Sequence, residues 1–337
     1  MTADAGGAAT GMVIGFVGLG NMGIPMTRRL VAAGHQVRGF DTSAEAMRAF
    51  ADIGSSDDGG GVTAVAEIGS VGEGADAVIL MLPDSDIVER VLLGRLASEP
   101  GPAPGSARRG LLASLPAGAT VIDMSSSDPA RTQALAPLCA AAGVTLIDAP
   151  VSGGVAGARA GTLAVMVGGP ATAFERFKPA LGAIGSRVVH AGDTGAGHAV
   201  KALNNLMSAA NLLVASEALV AGRRFGLDPA VMLEVINAAS GRSPATENKW
   251  PNFVLTEKYD AGFAMRLMVK DIRLALGIER ATGVTALASE AVAAAWEAAL
   301  ADLPPGADHT AIARWLSDLD RLVARRDAGR GRVTSSG

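Results

Sequence analysis

The chain is poor in the residues from which several kinds of chemistry are built: its 337 residues include one cysteine, one tyrosine, three tryptophans and four histidines. A single cysteine cannot close an internal disulfide, so a disulfide-stapled scaffold is excluded. Cys139 lies in the apolar stretch from Ala134 to Ala142 and is expected to be a buried core residue of a reducing, cytoplasmic protein. His35, His190, His198 and His309 show no metal-ligand spacing, and no serine or cysteine carries a nucleophile signature, so no metal site is expected. Lysine and arginine do not cluster and the net charge is -4, which argues against a nucleic-acid or anionic-membrane footprint.

Long uninterrupted apolar runs are also missing. The longest, Ala199 to Ala221, is broken by Lys201, Asn204, Asn205, Asn211, Ser216 and Glu217, which disfavours a transmembrane reading. Residues 1–11 carry no lysine or arginine, so neither a secretion signal nor a transit peptide is expected there. What the chain has in quantity is glycine: 43 of them punctuate periodic apolar segments and mark tight turns rather than disorder.

The first half alternates short β-branched runs with helical patterns, the sequence form of a parallel sheet with crossover helices. Strands are expected at Val13 to Val17, Gln36 to Phe40, Ala77 to Met81, Thr120 to Asp123, Thr145 to Asp148, Leu163 to Val167 and Arg187 to His190. A helix is expected from Met22 to Ala33 with Gly34 as its left-handed stop, and Gly143 is a second such stop. Loops are expected at Gly54 to Gly61 and Glu99 to Gly110. From Thr194 onward the strand signals cease and the pattern is helical. A long helix from Ala196 to Phe225, apolar nearly all round, is expected to be buried and to stop at Gly226. Further helices are expected from Asp228-Pro229 to Gly241, Ala264 to Thr282, Ala286 to Ala301 and His309 to Val323. The domains are therefore placed at 12–193 and 194–326, with tails at 1–11 and 327–337.

Gly18-Leu19-Gly20-Asn21-Met22-Gly23 follows a strand and opens a helix, where backbone N–H groups and the helix dipole can meet a pyrophosphate. A bare glycine triplet of this form is weak in so glycine-rich a chain; the strand, the helix and the next strand strengthen it. Asp41 ends that next strand, where a carboxylate accepts hydrogen bonds from ribose hydroxyls and repels a 2′-phosphate. Thr42-Ser43-Ala44 offers no arginine for that phosphate, so NAD is favoured over NADP. Leu82-Pro83-Asp84 and Asp123-Met124-Ser125-Ser126-Ser127 end later strands where a doubly wound sheet has its ligand crevice, although from the residues alone an ordinary strand-to-helix connection is the preferred reading of the first and some hydroxyls of the second can serve only as helix caps.

Ser152-Gly153-Gly154 pairs a hydroxyl with two residues lacking Cβ, an arrangement that suits a carboxylate and equally suits a plain turn. Lys201 and Asn205 are spaced i and i+4, and Lys201 and Asn204 i and i+3, so all three project near one face of an otherwise apolar helix. Burial beside a nicotinamide cation would lower the lysine pKa from about 10.4 and suit it to acid–base work. Lys270-Asp271 is a second charge pair, better explained from sequence alone by a solvated or mutually paired helix face.

Taken in order, Gly15 to Met26, Met81-Leu82-Pro83, Asp148 to Gly154, Gly161-Thr162-Leu163, Met166 to Gly169, Gly192 to Gly197, Lys201 to Asn205, Ser240 to Ser243 and Lys270-Asp271 resemble the β-hydroxyacid dehydrogenase family over residues 12–320. The resemblance implies a Rossmann-type domain, an interdomain helix, an all-α domain, an active site in the cleft between the domains, and a homodimer or homotetramer. It implies further that Lys201 is the catalytic lysine, that Asn205 orients substrate and that Ser152-Gly153-Gly154 grips a carboxylate. Lys270 would close over the cofactor, and Leu82, Pro83 and Ser126 would contact it. The implied reaction is reversible hydride transfer between NAD and a short β-hydroxy acid resembling 3-hydroxyisobutyrate, as in valine catabolism. Reduction of tartronate semialdehyde, or NAD sensing without turnover, are the competing readings. Asn204 stands where the related 6-phosphogluconate dehydrogenases have a histidine, which disfavours that activity.

Overall fold

The computed structural model describes residues 11–99 and 110–319. The expected C-terminal tail, all but Gly11 of the N-terminal one, and nearly all of the Glu99 to Gly110 loop lie outside the described residues. The chain forms two compact units, the first ending at Lys201 and the second beginning at Ala202.

The first unit runs β1 (Val13–Val17), α1 (Gly23–Ala32), β2 (Gln36–Phe40), α2 (Ala44–Ala51), β3 (Gly61–Ala64), β4 (Ala77–Leu80), α3 (Ser85–Leu93) and β5 (Thr120–Asp123). It continues with α4 (Pro129–Ala141), β6 (Thr145–Asp148), β7 (Val151–Ser152), α5 (Gly154–Ala160), β8 (Ala164–Gly168), α6 (Ala171–Ile184) and β9 (Arg187–Gly192). The sheet order is β3-β2-β1-β4-β5-β6-β8-β7, with β9 paired to β8. The order reverses at β1/β4, the switch point at which a doubly wound sheet opens a ligand crevice beyond its strand ends.

Both faces of the parallel core are covered, and the two-residue period of a strand shows why. Ile14, Phe16, Ile79, Ile122 and Ile147 enter one apolar cluster. Their neighbours Val17, Val78, Leu80, Val121 and Leu146 enter the other. Past β6 the sheet departs from the expected parallel form: β8 runs antiparallel to β6 and β7, and only β9 is parallel to it. Neither β7 nor β3 is visible in sequence, because two residues carry no periodicity and Thr63 and Ala64 of β3 are exposed.

The second unit holds most of α7 (Ala196–Phe225), then α8 (Pro229–Asn237), a π-helical segment (Ala245–Val254), α9 (Met265–Thr282) and α10 (Leu287–Asp302). Helical residues 312–319 end the described chain. Helix α7 is one 30-residue element, about 45 Å long at 1.5 Å per residue, and Gly226 ends it in the left-handed region at φ 102°. Ala202, Leu206, Ala209, Leu212 and Leu213 pack with Met268, Ile272, Trp296 and Ile312 into one core. The expected burial of α7 holds for one side only, since Met207, Val214 and Phe225 are 67%, 59% and 85% exposed. The segment expected to stay helical to Gly241 ends at Asn237, and the π-helical turns after it are too polar to announce themselves by hydrophobic period.

Candidate functional site

The glycine turn after β1 assigns each glycine a separate task. Gly18 has φ 96°, and a Cβ there would run into the Met81 carbonyl oxygen, so the turn is tight because β4 lies beside it. A Cβ on Gly23 would strike the Gly18 carbonyl oxygen, so the helix start packs down on the turn. At Gly20 a Cβ would meet nothing within 4 Å. Space there is kept by no protein atom, which is the condition for a ligand's close approach. Leu19 is buried, while Gly20 and Asn21 are exposed and Met22 half-buried. Met22 makes no capping hydrogen bond and the first turn of α1 has no acidic residue, so its amides and dipole are offered outward.

Asp41, one residue past β2, accepts from the Leu19 amide at 2.7 Å through Oδ2 and from the Ser43 amide at 2.8 Å through Oδ1. The carboxylate thus braces the glycine turn, and each oxygen retains a lone pair for a ribose hydroxyl. Leu82 and Pro83 leave the end of β4, and the Leu82 amide donates to Ser125 Oγ at 3.0 Å. Ser127 Oγ donates to Asp123 at 2.9 Å, so two of the three serines after β5 are committed to the fold. Ser126, between them, is half-buried. The open Gly20, the uncapped α1 and the acidic end of β2 fit the pyrophosphate and ribose of NAD.

Ser152 pairs with Ala164 across β7 and β8, which fixes its backbone. Gly153 and Gly154 follow with φ 132° and 62°, both exposed, and a Cβ on Gly154 would meet nothing within 4 Å. The turn is therefore ordered, with a hydroxyl and backbone N–H groups at the surface of the first unit.

On α7, Lys201 and Asn205 are 8% and 6% exposed, while Asn204 is exposed. Asn205 Nδ2 donates to Asp271 Oδ2 at 2.6 Å, and Asn204 Nδ2 donates to Asn205 Oδ1 at 3.2 Å. Because a carboxylate can only accept, Asp271 turns the amide so that its oxygen points away from α9. The amide nitrogen keeps a second N–H beside the one it gives to Asp271. Asp271 is 1% exposed, and its Oδ1 lies 3.5 Å from Lys270 Nζ. The two are mutually paired, as one of the expected explanations had it, but the face is not a solvated one: Asp271 sits three residues after Met268 and four before Ala275, inside the apolar stripe of α9. That spacing was the signal by which the residue could have been found. Lys270 itself is partly exposed on the same helix.

Residues 13–192 match the family model described as the NAD binding domain of 6-phosphogluconate dehydrogenase. Residues 195–316 match one described as NAD-binding of NADP-dependent 3-hydroxyisobutyrate dehydrogenase. Over 263 residues the chain is 41% identical to a 2-(hydroxymethyl)glutarate dehydrogenase of Eubacterium barkeri, covering 78% of this chain and 81% of the relative. It is 40% identical over 285 residues to a 3-hydroxyisobutyrate dehydrogenase of Pseudomonas aeruginosa, covering 82% and 89%. A solved structure of Mycobacterium tuberculosis 3-hydroxyisobutyrate dehydrogenase with L-serine superposes with a TM-score of 0.80 at 32% identity, over 91% of this chain and 99% of that one.

Proposed function

The chain belongs to the β-hydroxyacid dehydrogenase family, and from that premise we propose that it oxidises a short β-hydroxy acid of the 3-hydroxyisobutyrate kind to the semialdehyde, reversibly. It is a hydroxyacid dehydrogenase with a Rossmann-type NAD-binding domain and a helical second domain. The cofactor is NAD, which when bound supplies the hydride acceptor at nicotinamide C4.

The residues that would hold the cofactor are Gly18 to Gly23 and the α1 amides for the pyrophosphate, Asp41 for the ribose, and Leu82, Pro83, Ser126 and Lys270 around the remainder. Ser152 Oγ and the Gly153 and Gly154 amides take the substrate carboxylate. Lys201 Nζ, neutral at the moment of reaction, takes the hydroxyl proton and returns it in the reverse direction. Asn205 donates its second Nδ2 N–H to the substrate hydroxyl oxygen, which leaves the hydroxyl proton directed at the lysine. The observation that carries this reading is the Asn205–Asp271 hydrogen bond, which fixes the amide and leaves its Nδ2 a second N–H to donate.

The exposed apolar residues Met207, Val214 and Phe225 of α7, with Val231 and Val235 of α8, support assembly as a homodimer or homotetramer. Light scattering coupled to gel filtration tests that assembly, and a monomer at micromolar concentration would contradict it. The activity is tested by following NADH at 340 nm with 3-hydroxyisobutyrate, 3-hydroxypropionate, serine and 2-(hydroxymethyl)glutarate, each with NAD and NADP. Highest kcat/KM for 3-hydroxyisobutyrate with NAD is expected. A preference for the dicarboxylate would move the substrate assignment, and tight NADH binding without turnover would favour a sensor.

A further inference from the structure

The first turn of α7 is held by a buried polar node. The Asp148 carboxylate, at the end of β6, accepts from the Gly195 amide at 2.6 Å and from the His198 amide at 2.8 Å, and so caps the helix from a distant strand. Neither Gly168 nor Gly197 has room for a Cβ beside that carboxylate. The His198 ring is fully buried and spans two further elements. Its Nε2 lies 3.0 Å from the Ser125 carbonyl oxygen and its Nδ1 2.9 Å from Thr132 Oγ1. A carbonyl can only accept, so Nε2 carries a proton and donates to it. Asp123 and Asp148 lie 3.8 and 3.9 Å from the two ring nitrogens, and both carboxylates are almost wholly buried.

An apolar side chain would fill this space without the desolvation cost of an imidazole between two carboxylates. What the polar node provides is direction: four bonds tie one helical turn to β5, α4 and β6. Lys201 stands three residues beyond His198, one turn along the same helix, about 4.5 Å up its axis. We propose that His198, together with the Asp148 cap, is a positioning residue that seats the start of α7 and thereby sets where Lys201 Nζ lies. The inference rests on the acid–base reading of Lys201. A misplacement of about 1 Å at a reacting group can cost roughly 100-fold in rate.

The test uses the full-length protein with His198→Ala, His198→Gln and Thr132→Val beside Lys201→Ala. Steady-state kinetics, NADH affinity by fluorescence, melting temperature and hydrogen exchange of the 195–201 segment are measured for each. His198→Ala is expected to lower kcat tenfold or more while KM and NADH Kd move less than threefold, and to speed exchange of the 195–201 amides by at least tenfold. His198→Gln, whose amide N–H can reach the Ser125 carbonyl, is expected to recover a third or more of the wild-type kcat. Unchanged kcat or unchanged exchange in a folded His198→Ala protein overturns the proposal. So does a loss of kcat, affinity and melting temperature in step that glutamine does not relieve. Should His198→Ala not fold, Thr132→Val decides alone: a threefold or larger fall in kcat at constant Kd supports the proposal, and none overturns it. Turnover retained by Lys201→Ala would instead overturn the reading of the lysine, with the exchange result still judging the seat of the helix.

Discussion

Replacing Asp271 by alanine removes the acceptor that orients Asn205 and leaves the Asn205 Nδ2 without its partner on α9. The bond is short at 2.6 Å, one partner is charged, and both side chains are buried, 1% and 6% exposed. Hydrogen bonds to charged groups contribute about 1.5–3 kcal/mol net. If that orientation energy is spent in the transition state, kcat/KM falls roughly 10- to 150-fold, at 1.36 kcal/mol per tenfold. Asp271→Asn keeps a neutral acceptor at the same place and should lose about tenfold or less. Stability should fall as well, by about 1–3 kcal/mol, because the buried Asn205 Nδ2 is left without that acceptor. Initial rates of NADH formation, read beside thermal melts and NADH Kd, separate these terms. A folded Asp271→Ala protein with kcat/KM within twofold of wild type would show that Asp271 does not orient Asn205 for turnover.

The glycine turn predicts two opposite outcomes from one kind of change. Gly20→Ala places its methyl in open space and should leave the melting temperature nearly unchanged while weakening NAD binding, measured by fluorescence titration. Gly23→Ala forces a methyl against the Gly18 carbonyl and should destabilise the fold by about 1–3 kcal/mol in denaturant titration; equal effects on stability would contradict this. Asp41→Ala should relax discrimination against NADP, and an unchanged ratio of kcat/KM values would contradict the assignment of that carboxylate. Asp308 gives a pH prediction. Burial pushes its carboxyl up, but hydrogen bonds from His309 and Thr310 outweigh this and hold it well below its ordinary value of 3.8. A depressed carboxyl contributes stability that is present above the unfolded value and lost as pH falls through the folded one. Wild type should therefore exceed Asp308→Ala in stability by a constant margin above about pH 4 and lose that margin at lower pH, measured by chemical denaturation; a margin that grows on acidification would contradict it.

The parts of the fold legible in sequence are those carried by local pattern. The runs Val13–Val17, Gln36–Phe40, Thr120–Asp123 and Thr145–Asp148 are β-branched or alternating, bounded by turn residues, and they form strands with those bounds. Helix α7 is bounded by Gly195 and Gly226, and it too runs as expected from Ala196 to Phe225. Orientation was not legible. An apolar residue on every side of α7 does not say which side the other helices cover, and Met207, Val214 and Phe225 fell on the open one. The short strand Val151–Ser152 and the polar π-helical segment have no period long enough to read.

The same division holds in the site. The glycine turn and Asp41 are local or nearly so, and their placement could be read from spacing. The partners of His198 stand 66 and 73 residues away at Thr132 and Ser125, and Asp271 is 66 residues from Asn205. No spacing rule brings such residues together. His198 was notable in sequence only for lacking a metal partner, and its role follows from where three strand and helix ends converge.

Single-turnover NADH formation by wild type and Lys201→Ala, with NADH Kd measured on the same samples, tests the proposed transfer of the substrate proton by Lys201 Nζ. The alanine variant is expected to bind NADH within threefold of wild type and to form it roughly 100- to 10,000-fold more slowly. A variant that binds normally and turns over within tenfold of wild type would contradict it.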